Sequence, residues 1–263
     1  MNAKNNELNR VDLQSKSVVD VIYSCKSPAI LVAALFVEFA AQQKALLVAE
    51  RLPNKGANSM SHSLSVALCD ASRWTRRQRV PLESATCKLN YGALVSIGAV
   101  YTNKVLCGVL GTSALEALAV DATGTVRRLQ PISLGFAHLC FATGRLQDTE
   151  LLVISLVSFA EVRLLQVVDG ESLSVRRLRS LSVDANKLLW RSGLLFAASR
   201  DAKTESDEVS VWHVSGGGRR VERRGTPIAH ADNLRIQCWS AVGERIAIFD
   251  NISKKVFVYE LKN

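Results

Sequence analysis

Short apolar runs alternate with polar residues along most of the chain, and the runs themselves recur. Five copies of one strand-like segment stand out: Leu64 to Asp70 (LSVALCD), Leu115 to Asp121 (LEALAVD), Arg163 to Asp169 (RLLQVVD), Val209 to Ser215 (VSVWHVS) and Val256 to Lys262 (VFVYELK). Their end positions, 70, 121, 169, 215 and 262, differ by 51, 48, 46 and 47. Within each copy the apolar spacing is two, which predicts half-buried or buried strands and excludes helical repeats. A second apolar run precedes four of the copies, at Lys104–Leu110, Leu151–Val157, Leu194–Ser199 and Arg245–Phe249. The first four copies are followed by a turn, an arginine pair and a Pro/Ser-apolar step: Pro81-Leu82, Pro131-Ile132, Ser180-Leu181 and Pro227-Ile228. Polar residues open the units at a near-constant distance, at Asn90, His138, Asp184 and His230. Each unit thus holds three or four short strands.

Four strands in roughly 40–45 residues is the arithmetic of a propeller blade. The expected fold is all-β: residues 1–263 as a single small β-propeller of about five four-stranded blades. One blade cannot cover both of its faces, but stacked blades cover one another. The fifth strand copy lies next to Asn263, so the last blade is expected to take its outermost strand from Asn9–Gln14. The first unit is irregular. Residues 40–62 are expected to be an insertion or flexible loop in blade one, or to hide a sixth blade. Gln42–Arg51 fits a helix or a hairpin extension, and Asn54–Ser61 reads as a loop.

On these residues the chain resembles the WD40 family. Ala137-His138 and Ala229-His230 stand where that family has Gly-His. Ser199 to Asp201, followed by Val209 to Trp212, resembles the turn and strand before its Trp-Asp, and Ile246 to Glu260 is the nearest match. The resemblance covers most of residues 85–263, without a Trp-Asp or Gly-His dipeptide. It implies a propeller whose hydrogen-bonded side-chain network is incomplete.

Charge and composition add partners rather than chemistry. Lys plus Arg is 33 against 24 for Asp plus Glu, a balance of +9. That favours RNA, DNA, anionic headgroups or an acidic protein face. The apolar share of 48% is enough for a core. Cys25, Cys69, Cys87, Cys107, Cys140 and Cys238 form no CxxC pair and read as small buried hydrophobes of a reducing compartment. The polar start, Met1 to Lys16, shows no secretory signal. Ala29–Ala41, interrupted by Glu38, is too short to span a bilayer. A cytoplasmic or nuclear location is expected.

The sharpest chemical feature is the set of arginine pairs, Arg76-Arg77, Arg127-Arg128, Arg176-Arg177 and Arg223-Arg224. On outer strands they would form a basic belt for RNA or an acidic partner, or guard sheet edges against aggregation. Asp70, Asp121 and Asp169 end equivalent strands and read as turn formers. His138 and His230 share a repeat position and read as structural. No nucleophile-base-acid pattern, phosphate loop or clustered metal-ligand spacing occurs. The expected function is therefore a non-catalytic scaffold in a larger protein assembly, with no enzymatic activity, cofactor or metal. The alternative is an RNA- or DNA-associated propeller using the basic belt.

Overall fold

The computed structural model describes residues 7–11, 18–24, 29–38, 44–53, 60–70, 73–87, 95–101, 103–157, 159–201, 203–224, 234–242 and 245–260. These residues build antiparallel sheets, and no α-helix occurs among them. A two-stranded hairpin, β1 (Glu7–Val11) with β2 (Val18–Ser24), precedes five blade sheets. The fold is a five-bladed β-propeller. The chain divides into two compact units, residues 1–135 and 136–263.

The first unit holds two blades. Blade 1 runs β3 (Ile30–Glu38), β4 (Lys44–Pro53), β5 (Met60–Asp70), β6 (Arg73–Cys87) in chain order. Blade 2 runs β7 (Val95–Val100), β8 (Lys104–Val109), β9 (Ala114–Val120), with two short outer strands, β10 (Val126–Arg128) and β11 (Ile132–Ser133), both paired to β9. Alternation on β4 and β5 sends Ala45, Leu47, Ala49, Leu64, Val66 and Leu68 into one core with Val105, Cys107, Leu118 and Val120 of blade 2. Fully burying each large apolar side chain contributes about 1.5–3 kcal/mol. Gln78 clamps the same joint, accepting from Val126 N–H at 2.6 Å and donating to its carbonyl at 3.4 Å.

The second unit holds three blades. Blade 3 is β12 (His138–Leu146), β13 (Thr149–Leu156), β14 (Glu161–Asp169), β15 (Leu173–Ser182). Blade 4 is β16 (Lys187–Arg191), β17 (Leu194–Arg200), β18 (Asp207–Ser215), β19 (Arg220–Arg223). Blade 5 is β20 (Ile236–Val242), β21 (Arg245–Asp250), β22 (Val256–Glu260). Strand β17 shows why the run is apolar throughout. Leu195 and Ala197 pack toward blade 3 with Leu151, Val153 and Leu164, while Phe196 and Ala198 pack toward blade 5 with Ile236, Ile246 and Ile248. A strand covered on both faces has no solvent side to mark with polar residues.

Three first strands slip register near their start, between Leu31 and Ala33, His138 and Cys140, and Ile236 and Cys238. Such bulges increase local twist. Gly144 on β12 makes room for blade 4, since a Cβ there would lie 2.1 Å from Trp190 Cδ1.

Two expectations differ from the structure. The strand expected to complete the last blade begins in β1, which pairs with β2 in register Leu8↔Tyr23 and Asn9↔Val21; Asp12, Leu13 and Gln14 lie outside the described residues. A neighbouring apolar strand a few residues away is the entropically nearer partner. Residues 40–62, expected as an insertion or loop, supply the inner strand β4 and the start of β5, while 40–43 and 54–59 lie outside the described residues. The apolar run of β4 is buried on both faces, which is why it lacks the alternation that marks a half-exposed strand.

Replacing Gly144 with alanine is expected to destabilise the protein by about 1–3 kcal/mol through overpacking against Trp190. Chemical denaturation measures this, and the pair Gly144→Ala, Trp190→Leu should recover part of the loss.

Candidate functional site

The residues singled out by sequence are spread over the blades. Asp121 follows β9 and caps its own turn, accepting from Thr123 Oγ1 at 2.6 Å and from Thr123 N and Thr125 N at 2.9 Å. The Thr123 hydroxyl and these amides lower its pKa. Asp169 ends β14 opposite Leu173, and Asp70 ends β5 opposite Arg73. His138 is fully buried at the start of β12, its ring 6.3 Å from Phe141. His230 lies outside the described residues.

The arginine pairs occupy outer strands on separate blades, so no single site collects them. Arg76 and Arg77 lie on β6. Arg127 is exposed, while Arg128 donates to the Pro81 carbonyl of blade 1. Arg176 is exposed. Arg177 bonds Ser180 Oγ at 2.6 Å and Glu161 Oε1 at 3.4 Å. Arg223 covers the Trp212 ring at 6.0 Å, and Arg224 is exposed beyond β19.

Buried carboxylates hold the second unit together, and nothing in the repeat marked them. Asp207 opens β18 with its side chain wholly buried. It accepts the Ile236 N–H of blade 5 at 2.7 Å and pairs with Arg200 at 3.2 Å and Lys187 at 3.9 Å. Asp250 receives Arg235 N–H at 2.7 Å and Ser253 N–H at 2.6 Å. Burial pushes its pKa up, but hydrogen bonds from Ser253, Arg235 and Ile252 prevail and hold it at about 2. Glu161 is held at about 2 by the Arg163 guanidinium first and the Ser180 hydroxyl second. In the first unit Glu50, buried, takes Ser65 Oγ and Arg79 Nη2, each at 3.1 Å. Asp207 thus joins blade 4 to blade 5, while Asp250, Glu161 and Glu50 brace their own blades.

The buried thiols are likewise unreactive. Burial raises Cys107 far above the ordinary thiol range and pushes Cys140 up to about 12, so neither supplies a thiolate nucleophile.

A more open constellation lies where first strands turn into second strands. In unit two the first strands sit side by side, β12 with β16 and β16 with β20, as β3 does with β7 in unit one. Every blade carries a basic residue at this turn: Lys44, Lys104, Arg145, Arg191 and Arg245. Arg145, one residue before the end of β12, lies opposite Glu150. Its guanidinium is 3.7 Å from Glu150 Oε1 and 3.7 Å from Asp148 Oδ1, and its Nε donates to the Gln147 carbonyl at 3.1 Å. Glu150 is only 7% exposed. Thr149 lies beside the Gly216–Gly218 turn of blade 4; a Cβ on Gly217 would be 3.5 Å from its hydroxyl oxygen. Half-buried Arg191 ends the neighbouring strand β16. Thr149 and the glycine-rich turn share the face of blade 3 that meets blade 4, whereas Arg145 and Glu150, each one residue along its strand, pair on the other face. A buried carboxylate beside a guanidinium can bind an anion and take a proton from water. Among the described residues no cluster of three or more His, Cys, Asp or Glu suits a metal ion. Among them, too, no helix is long and apolar enough to cross a membrane.

No family model matches the sequence, and no curated protein matches it. Solved structures do. A periplasmic gluconolactonase of Pseudomonas aeruginosa is similar with TM-score 0.53 and 11% identity, over 97% of this chain and 87% of that one. A candidate 6-phosphogluconolactonase of Bacteroides uniformis gives 0.52 and 11%, over 96% and 86%. A protein of unknown function from Desulfotomaculum acetoxidans gives 0.51 and 9%, over 92% and 86%. At such identities the likeness is one of fold. It goes against three expectations drawn from the sequence. Two of these propellers are described as lactonases, which counts against the non-catalytic scaffold, its nucleic-acid alternative and the expected absence of enzymatic activity. The cytoplasmic or nuclear location is overturned by likeness to a periplasmic protein. The physical reason is that one blade architecture supports many sites, and the repeat encodes the architecture.

Because the folded pKa values of Asp250 and Glu161 lie below ordinary carboxylate values, their contribution to stability is complete above about pH 4–5. It is lost as pH falls toward about 2. Urea titrations across this range should show that decline, and Asp250→Asn should be less stable at neutral pH with a shallower decline.

Proposed function

We propose that the protein is a propeller hydrolase that opens a lactone of a sugar acid, at the first-strand turn of blade 3. The observation that carries this reading is the buried Glu150 carboxylate held beside Arg145 at the end of β12. The similarity to propellers described as gluconolactonase and 6-phosphogluconolactonase supports the choice of substrate class. The reading takes residues 1–263 as one propeller.

In this proposal Glu150 takes a proton from water as the oxygen attacks the lactone carbonyl. Arg145 holds the developing oxyanion. The ring carbon–oxygen bond then breaks, and the leaving alkoxide receives the proton from Glu150, giving the open hydroxy acid. The exposed outer-strand arginines, Arg127, Arg176, Arg177, Arg223 and Arg224, are read as a field that concentrates anionic substrate, an effect that salt screens.

The test is hydrolysis of glucono-δ-lactone and its 6-phosphate, followed by proton release. Purified protein is expected to accelerate at least one of them over buffer. Glu150→Gln should lower kcat on the order of 10²-fold or more with circular dichroism unchanged. Arg145→Ala should lower kcat/KM, and kcat/KM for the phosphorylated lactone should fall as salt rises. Buffer-level rates on both lactones, or full activity in Glu150→Gln, would remove this reading.

A further inference from the structure

Strand β22 differs from every other third strand. β5, β9, β14 and β18 each have an outer strand paired beyond them, whereas among the described residues β22 is the last strand of its sheet. Its backbone polarity can be assigned. Asp250 N–H donates to the Lys255 carbonyl at 2.9 Å, so the peptide groups of Lys255 face β21. By strand alternation those of Phe257 and Tyr259 do as well, and those of Val256, Val258 and Glu260 point away from the sheet. The side chains are open too: Val256 is 50% exposed and Val258 46%. A bare edge with exposed valines is a template for another strand.

We infer that β22 pairs antiparallel with β22 of a second copy of this chain, about a two-fold axis at Phe257. The sequence of the edge is complementary to itself. From Lys254 it reads Lys-Lys-Val-Phe-Val-Tyr-Glu, with basic residues at one end and an acid at the other. Antiparallel self-pairing in this register sets Val256 against Val258 of the second copy and Phe257 against Phe257 of the second copy. The Lys254–Lys255 end of each strand then lies beside Glu260 of the other. Opposite charges, β-branched pairs and an aromatic pair are the cross-strand combinations that favour a sheet. The even register puts both exposed valines of each copy on the same face, as a closed two-fold contact requires. Among the described residues the N-terminal strand β1 is bonded to β2 along Glu7–Val11. Blade 5 and its copy would make one continuous six-stranded sheet.

Sedimentation velocity on the full chain over a range of concentrations tests the proposal. The mass is expected to rise from one chain to two as concentration increases. Val258→Lys places like charges near the axis and should raise the dissociation constant at least about tenfold, with the circular dichroism spectrum and Tm unchanged. Glu260→Lys should weaken the dimer, and adding Lys254→Glu in the same chain should restore it. A single chain at all concentrations overturns the proposal. So does a dimer indifferent to Val258→Lys and Glu260→Lys. A monomer whose Val256 and Val258 amides resist hydrogen exchange would also overturn it, in favour of a segment of the same chain.

Discussion

The structure depends on covering sheet faces that are apolar on both sides. In β13, all seven residues from Glu150 to Leu156 are buried; in β17, alternate side chains go to different neighbouring blades. A sheet of this kind is unstable alone, because a solvated face would expose several large side chains at about 25 cal/mol per Å². Stacking within each unit removes that exposure, and the outer strands, covered on fewer sides, are more polar. β10 and β19 are three and four residues long and rich in arginine.

Apolar stacking is non-directional, and directional contacts fix how blades meet. Gln78 bonds the Val126 peptide as a strand partner would. Asp207 does the same for Ile236 N–H while neutralising Arg200 and Lys187. Removing one member of such a buried set leaves the others charged and desolvated, so these joints set alignment more than net stability. The missing side chain of Gly144, filled by the Trp190 ring, fixes the same alignment sterically.

The propeller was legible because hydrogen-bonded strands are sequence neighbours and the strand copies recur at 46 to 51 residues. The five copies fall on β5, β9, β14, β18 and β22, with Asp121 just past β9 and Leu261 and Lys262 outside the described residues. What was not legible involves partners distant in sequence or on different blades. Nothing near Asp207 reveals that Ile236 waits 29 residues on. β4 escaped because burial on both faces erases its period, and the first strands were blurred by bulges that exchange the facing of side chains within one strand. Of the candidate site, the repeat showed neither Arg145 nor Glu150: they pair across the strands that flank the β12–β13 turn, where a basic residue beside an acid is ordinary. The WD40 resemblance carried architecture and not chemistry: Asp121 caps its own turn, and Asp70 and Asp169 end strands on other blades.

Nearly all strand pairs join consecutive strands, the exception being β11, which skips β10 to reach β9. This has a kinetic consequence. Loop closure for each pair spans only a few residues, so hairpins and then whole blades form early and locally. The slow event is the docking of preformed blades, where contacts such as Asp207 to Ile236 are first made. On the ribosome a blade can therefore complete itself before the next has emerged, and its uncovered face is the surface a chaperone would meet.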